Sequence, residues 1–249
     1  MHVVCVIPAR IGSTRLLHKP LQLLAGEPLI RRVAKRAGEF GGLDRVVVAT
    51  DDERVIDAVH GLEVDACLTG PAATGTDRVG QVARRPEYRQ VRWWVNIQGD
   101  EPFLPASSVR GALELIESGA VRLATAATPL GAGDLENPHV TKVWVDGACT
   151  ALGFGRSPSR SIVASRAIFR HVGVYAYTAE ALARWCDTEQ TTDELRERLE
   201  QLRPFAYAER IGVAVIDQPA PHGIDTAADL AAANALLTQC TGTSERVSP

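Results

Sequence analysis

Short runs of apolar, largely β-branched residues recur through the first half of the chain, at 3–7, 45–50, 64–68, 91–97 and 123–128. Between them lie helical stretches. Residues 28–39 open on Pro28 and put Leu29, Ile30, Val33 and Ala37 on one face, a 3.6-residue period behind a proline suited to a first turn. Residues 54–60 and 107–117 have the same character. Strands that stay apolar at successive positions are buried on both faces. The rhythm therefore predicts an α/β fold: a mostly parallel central sheet with helices on both faces. In such sheets ligands sit beyond the carboxyl ends of the strands, so the segments that follow the strands are where chemistry is expected.

The second half changes pattern. Residues 140–145 and 150–154 can pair as a hairpin across Asp146-Gly147. A strand is expected at 170–177, a charged helix at 193–203, a strand at 211–216 and a last helix at 226–237. The polar residues 239–249 read as a disordered tail. Nothing marks an internal boundary, so 1–238 is expected to be one domain.

At 249 residues and net charge −3 the chain has no basic footprint, which argues against nucleic acid as a partner. No apolar run reaches the roughly 18–20 residues of a membrane span, and the first residues do not read as a signal peptide. Cys5, Cys67, Cys149, Cys186 and Cys240 form no CxxC pair; reduced thiols in a cytoplasmic protein are expected. Of 27 cationic residues only Lys19, Lys35 and Lys142 are lysine. Where a chain so consistently uses arginine, a lysine marks a place for a compact ammonium.

Four segments can carry chemistry. Pro8-Ala9-Arg10-Ile11-Gly12-Ser13-Thr14-Arg15-Leu16-Leu17-His18-Lys19-Pro20-Leu21 follows the first strand with three cations, two hydroxyls and a glycine. It suits a triphosphate and equally suits a solvated basic loop; it is neither a P-loop nor a GxGxxG turn. Asn96-Ile97-Gln98-Gly99-Asp100-Glu101-Pro102 delivers acids at a strand end, where a carboxylate can hold Mg²⁺ against phosphates; the alternative is a polar turn. In Gly223-Ile224-Asp225-Thr226-Ala227-Ala228-Asp229, Asp225 can be a second metal ligand, or the segment can be a helix start capped by Thr226. Thr74-Gly75-Thr76-Asp77-Arg78 can contact a nucleotide, or simply cap a helix.

In order and spacing these segments resemble the 3-deoxy-manno-octulosonate (KDO) cytidylyltransferase family from residue 3 to about 237. The most specific matches are Ile7-Pro8-Ala9-Arg10 with Ser13-Thr14-Arg15 and Lys19-Pro20-Leu21, then Ala49-Thr50-Asp51 and Asn96 to Pro102. Downstream come Asn137-Pro138 with Lys142-Val143, Arg170-His171-Val172-Gly173-Val174-Tyr175, Leu199-Glu200-Gln201-Leu202-Arg203, and Ile224-Asp225-Thr226. The resemblance implies a nucleotide-diphospho-sugar transferase-like fold with a dimerisation arm within about 140–210, a homodimer, and transfer of CMP from CTP to an acidic sugar in lipopolysaccharide biosynthesis. By the same resemblance Ala9, Arg10, Arg15, Lys19, Thr74, Gly75, Thr76 and Asp100 bind the nucleotide, and Asp100 and Asp225 bind Mg²⁺. Gln98, Lys142, Arg156, His171, Tyr175, Glu200 and Gln201 face the sugar, and Arg10, Lys19, Asp100 and Asp225 carry the catalysis.

Departures gather toward the acceptor. The family usually has Pro-Gly where this chain has Leu17-His18, and Ser where it has Gly155. Segment 156–171 is shorter than usual and rich in Ser and Arg. These keep open a different acceptor, such as a related acidic sugar or a phosphonate. Rival readings are a sugar 1-phosphate nucleotidyltransferase, a nucleotide-binding protein without turnover, and a glycosyltransferase, for which no Asp-x-Asp follows a strand.

Overall fold

Every residue of Val3–Ala9 is buried, and the two directions its side chains take define the two apolar layers of the molecule. Val3, Cys5 and Ile7 enter one layer; Val4 and Val6 enter the other. In the computed structural model, which describes residues 2–218 and 221–244, this strand is β1. It is followed by β2 (Leu23–Leu24), β3 (Glu27–Pro28), α1 (Leu29–Gly38), β4 (Arg45–Thr50), α2 (Glu53–Val59), β5 (Asp65–Leu68), α3 (Gly75–Ala83), β6 (Trp93–Ile97), α4 (Ala106–Glu117) and β7 (Leu123–Thr128). The second half holds β8 (Lys142–Val145), β9 (Ala151–Gly155), α5 (Arg160–Ser165), β10 (Ala167–Thr178), α6 (Ala179–Asp187), α7 (Thr192–Glu197), β11 (Ile211–Val215) and α8 (Ala227–Ser244).

The central sheet runs β11-β7-β10-β6-β1-β4-β5. The pairs β1–β4, β1–β6, β4–β5 and β7–β11 are parallel, and β10 alone on this path runs against its neighbours. One face is covered by α1, α2, α4 and α8, the other by α3, α6 and the β8–β9 hairpin. Where α3 meets α6, a Cβ on Gly80 would collide with the Cys186 sulfur, so the absent side chain sets how closely the helices pack.

Two features position the site. The chain winds outward from β1 to β4 and β5 on one side and to β6 on the other, so the carboxyl ends of β1 and β6 lie side by side at the point where strand order reverses. Such a point opens a crevice. The reversed β10 then brings its own first half to the same edge: Arg170 pairs with Thr128, His171 with Ala127 and Val174 with Ile97. A bulge between Val172 and Tyr175 frees Gly173, whose carbonyl accepts from the Gln98 amide at 3.0 Å.

The expected charged helix at 193–203 is instead two pieces. Helix α7 stops at Glu197, Arg198 turns left-handed at φ 54°, and a 3₁₀ helix covers Glu200–Tyr207. Pro204 lies inside that second piece, where it has no N–H for an α-helical ladder. The last helix continues to Ser244 rather than giving way to a tail at 239, and 245–249 lie outside the described residues. Helix α5 buries no side chain and lies outside both layers.

Candidate active site

The connection after β1 is anchored before it turns. The Ile11 amide donates to Asp51 Oδ1 at 3.0 Å, while the buried Arg78 donates to Asp51 Oδ2 at 3.0 Å. His18 takes the left-handed conformation at φ 50° and leads into the 3₁₀ turn Lys19–Leu21. A glycine holds this φ without a Cβ penalty. His18 thus supports the turn at a cost.

That turn sends the Lys19 ammonium between two carboxylates, 2.5 Å from Asp100 Oδ2 and 2.9 Å from Asp225 Oδ1; Arg15 adds a contact to Asp225 Oδ1 at 2.9 Å. Burial lowers the Lys19 ammonium, but Asp100 and Asp225 outweigh it and hold it above the ordinary lysine range. Burial likewise raises Asp225, yet Lys19 and Arg15 bring it below the usual carboxylate range.

Asp100 and Asp225 are 125 positions apart in sequence and are joined by backbone: the Ile224 amide donates to the Asp100 carbonyl at 2.8 Å. Gly99 makes the turn possible, since a Cβ there would stand 2.9 Å from the Pro8 carbonyl oxygen of β1. Beside the pair, the Glu101 carboxyl is pushed up to about 7 by burial and by the Asp100 charge.

The donor chemistry suits magnesium. Two hard carboxylates converge on one cationic point, and Mg²⁺ typically takes one or two carboxylates with phosphates and water completing its shell. Among the described residues no group of three or more His, Cys, Asp and Glu side chains forms a metal cluster, so the pair is not part of an all-protein cage.

Opposite the pair, Thr74 and Asp77 form a reciprocal capping box at the start of α3, and Thr74 and Gly75 line the cleft. Capping and cleft lining coexist at Thr74. Thr226 and Asp229 do the same for α8 beside Asp225. A Cβ on Gly75 would meet Gln98 at 3.0 Å, so glycine lets α3 approach β6. Thr76 is fully buried behind them; its hydroxyl meets Tyr177 Oη at 2.9 Å and Glu200 Oε1 at 3.0 Å. Glu200 Oε2 also accepts from the Thr76 amide at 3.1 Å. Both Glu200 oxygens are thus engaged at the N-terminus of α3, and burial raises this carboxyl.

Further along the cleft wall stand His171, Tyr175 and Gln201. Thr125 Oγ1 donates its single proton to the Val174 carbonyl at 2.6 Å. It must therefore accept from His171 Nε2, 2.9 Å away, which fixes His171 as the Nε2–H tautomer. Burial pushes its pKa down to about 3, so the ring is neutral near pH 7.

Ala9, Arg10, Arg15, Lys19, Gln98, Asp100, Glu200 and Asp225 also line this cleft of about 700 Å³, within the usual range for small-molecule sites. Thr76, Lys142 and Arg156 do not. The fully buried Lys142 donates to the carbonyls of Asn137 at 2.6 Å and Arg156 at 2.5 Å; Arg156 donates to the Glu197 carbonyl at the end of α7. Burial lowers the Arg156 guanidinium, as does the nearby Arg15. Sequence reasoning missed Glu101, Arg170, Arg198 and His222, which line the cleft as well. Arg170 and Glu101 stood inside matched segments; Arg198 and His222 carried no signal.

A cytidylyltransferase family model matches residues 4–211. The chain is 42% identical over 243 residues to a 3-deoxy-manno-octulosonate cytidylyltransferase of Gemmatimonas aurantiaca, covering 94% of this chain and 93% of the relative. It is 45% identical over 240 residues to one of Methylococcus capsulatus, covering 90% and 93%. A solved CMP:2-keto-3-deoxy-manno-octonic acid synthetase complexed with CTP superposes with TM-score 0.85 at 34% identity, covering 96% of this chain and 99% of that one. A 4-diphosphocytidyl-2C-methyl-D-erythritol synthase from Anaerococcus prevotii shares the fold, at TM-score 0.63, 15% identity and coverage of 95% and 98%. The molecule is therefore a nucleotidyltransferase of the cytidylyltransferase class. Within that class, the chain belongs to the 3-deoxy-manno-octulosonate cytidylyltransferase family.

Proposed function

We propose that this enzyme transfers CMP from CTP to the anomeric hydroxyl of KDO and releases pyrophosphate. One observation carries the reading: Asp100 and Asp225 converge on a single cationic point at the strand-order reversal, in a cleft also lined by Arg10, Arg15, His171 and Tyr175. A KDO-type sugar has a carboxylate beside its anomeric carbon and no anomeric phosphate. Its hydroxyl must therefore attack the α-phosphorus of CTP directly, and the leaving group is pyrophosphate.

Such a displacement requires in-line positioning and neutralisation of charge on the phosphates. Arg10, Arg15 and Lys19 bind the triphosphate and take up the growing negative charge of the leaving pyrophosphate. Thr74 and Gly75 hold the nucleoside side. Mg²⁺ held by Asp100 and Asp225 would supply Lewis-acid neutralisation at the phosphates. Gln98, His171, Tyr175 and Gln201 orient the sugar; His171, being neutral, offers hydrogen bonds without repelling a cation.

The departures in the shortened segment do not reach the cleft and give no ground for replacing KDO. In the shortened segment, α5 buries no side chain, and none of residues 156–169 lines the cleft. The curated relatives quoted above, aligned over nearly their whole length, carry the KDO name. We further propose a homodimer, supported by the exposed Leu152, Val163 and Leu195 in the second half, and a cytoplasmic location, consistent with no helix among the described residues being long and apolar enough to cross a membrane.

The test is pyrophosphate release with CTP and Mg²⁺ across KDO, its 8-amino relative, a sialic acid and simple phosphonates. Release with KDO is expected. Release with another acceptor alone would overturn the sugar while keeping the chemistry, and release with none would overturn the reading.

A further inference from the structure

Asp225 lies on an irregular segment, 221–226, between the chain's last strand and last helix. Two backbone anchors hold its far side: the Ile224 amide on the Asp100 carbonyl, and the Asp225 and Thr226 amides on Asp229 Oδ2 at 3.1 and 2.8 Å. On the near side the His222 ring makes side-chain contacts. His222 Nε2 lies 3.3 Å from Asp134 Oδ1, and His222 Nδ1 lies 3.3 Å from Arg170 Nη1.

The roles of the two ring nitrogens follow from the partners. A guanidinium only donates, so Nδ1 accepts from Arg170, and the ring's single proton sits on Nε2 and goes to Asp134. Both partners are fixed. Asp134 is 5% exposed and its Oδ2 also accepts from the Gly131 amide at 2.8 Å. Arg170 is 8% exposed and its Nε reaches Thr128 Oγ1 at 3.3 Å. Asp134 Oδ2 and Arg170 Nε also lie 4.0 Å apart, so the half-exposed ring contacts both members of a buried ion pair that joins the loop before β8 to β10. That same loop supplies Asn137, His139 and Thr141 to the acceptor end of the cleft.

We propose that His222 is a positioning residue for the transfer: through Asp134 and Arg170 it clamps the segment bearing Asp225 against the acceptor-side loop, so that the carboxylate pair and the acceptor wall are set by one contact. The proposal rests on the reading of Asp100 and Asp225 as the cation-holding pair. His222 touches neither carboxylate, so its effect reaches Asp225 through the backbone of 222–225, and the expected loss is at the low end of the roughly 10- to 100-fold seen when groups that orient a ligand are removed.

The experiment compares the wild type with His222→Ala and His222→Gln. Glutamine keeps one donor and one acceptor. Two readouts are taken: kcat, KM for CTP and half-saturating Mg²⁺ in pyrophosphate release; and Mn²⁺ binding in the presence of CTP without acceptor, followed by the electron-spin signal of free Mn²⁺. For His222→Ala, about tenfold weaker Mn²⁺ binding and about tenfold lower kcat are expected, with KM for CTP changed less than threefold. His222→Gln should return to within about threefold of wild type on both readouts. Wild-type Mn²⁺ affinity and kcat in a folded His222→Ala would overturn the proposal, as would a His222→Gln as impaired as the alanine variant. Should the alanine variant not fold, the glutamine variant and nitrogen NMR of the His222 ring decide: a proton on Nδ1 would contradict the clamp. A wild type that binds Mn²⁺ but releases no pyrophosphate with any acceptor would overturn the functional reading, and the Mn²⁺ series would still judge the clamp.

Discussion

Where we place the nucleotide, Arg10 and Asp100 follow closely on β1 and β6, with few residues separating a strand from the group it presents: Ala9 from Arg10, Ile97 from Asp100. At the acceptor end the side chains come from a bulged antiparallel strand, a broken helix and two loops. Lys19 and Lys142 summarise the contrast. Both are rare lysines with buried stems, but Lys19 ends between two carboxylates in the cleft, whereas Lys142 ends between two backbone carbonyls behind it. The same residue type does electrostatic duty on one side and holds architecture on the other.

The largest effect that could break this contrast belongs to the carboxylate pair. Asp100→Asn or Asp225→Asn should lower kcat by about 10²–10³-fold, the scale of removing one charge-stabilising group from a preorganised site, measured as pyrophosphate release. A loss under tenfold in either variant would remove the pair from the chemistry.

Lys142→Met should act on stability. Two buried carbonyls lose their donor, at about 1–3 kcal/mol, and a thermal scan should show Tm lower by about 2–10 °C for a chain of this size. The acceptor KM of the folded variant should stay within threefold. An acceptor KM raised more than tenfold at unchanged Tm would make Lys142 a substrate contact and erase the contrast.

His171 sharpens it through pH. Its folded pKa is depressed to about 3 by burial, below about 6.5 in the unfolded chain. Between those values the unfolded state binds a proton that the folded state refuses, so stability rises with pH across this window and falls on acidification through it. Denaturant titrations from pH 7 down to 4 should show a steeper loss in wild type than in His171→Gln. Equal slopes would place a charged imidazole in the folded protein.

The smallest effect concerns the loop before Lys19. His18→Gly relieves a left-handed non-glycine residue, a strain of about 1 kcal/mol, partly offset by glycine's extra unfolded freedom. A gain near 0.5 kcal/mol is expected in denaturant midpoint, with kcat unchanged.

The nucleotide half was legible in sequence because its signals are local. Apolar runs give strands on a doubly covered sheet, and the residues directly after them are the site. Thr74 was legible twice over, as a cap and as a cleft residue, and both descriptions hold; Thr226 was legible as a cap. The acceptor half was less legible because long-range pairing decides it. Charge periodicity across 193–203 suggested one helix, but Pro204 and the buried bonds of Arg203 to Asp77 and Glu194 select a broken path. Arg156, matched by family pattern to the sugar, caps the end of α7 instead of lining the cleft. His222 meets Asp134 across 88 positions, a contact that no spacing rule reveals.

The most direct test of the central claim is ³¹P NMR of a reaction containing the enzyme, CTP, KDO and Mg²⁺. Direct attack of the anomeric hydroxyl on the α-phosphorus predicts one sugar phosphodiester resonance and pyrophosphate in equal amounts, both absent with Asp100→Asn. A product with a sugar–diphosphate linkage, formed only when a sugar 1-phosphate replaces KDO, would contradict the account.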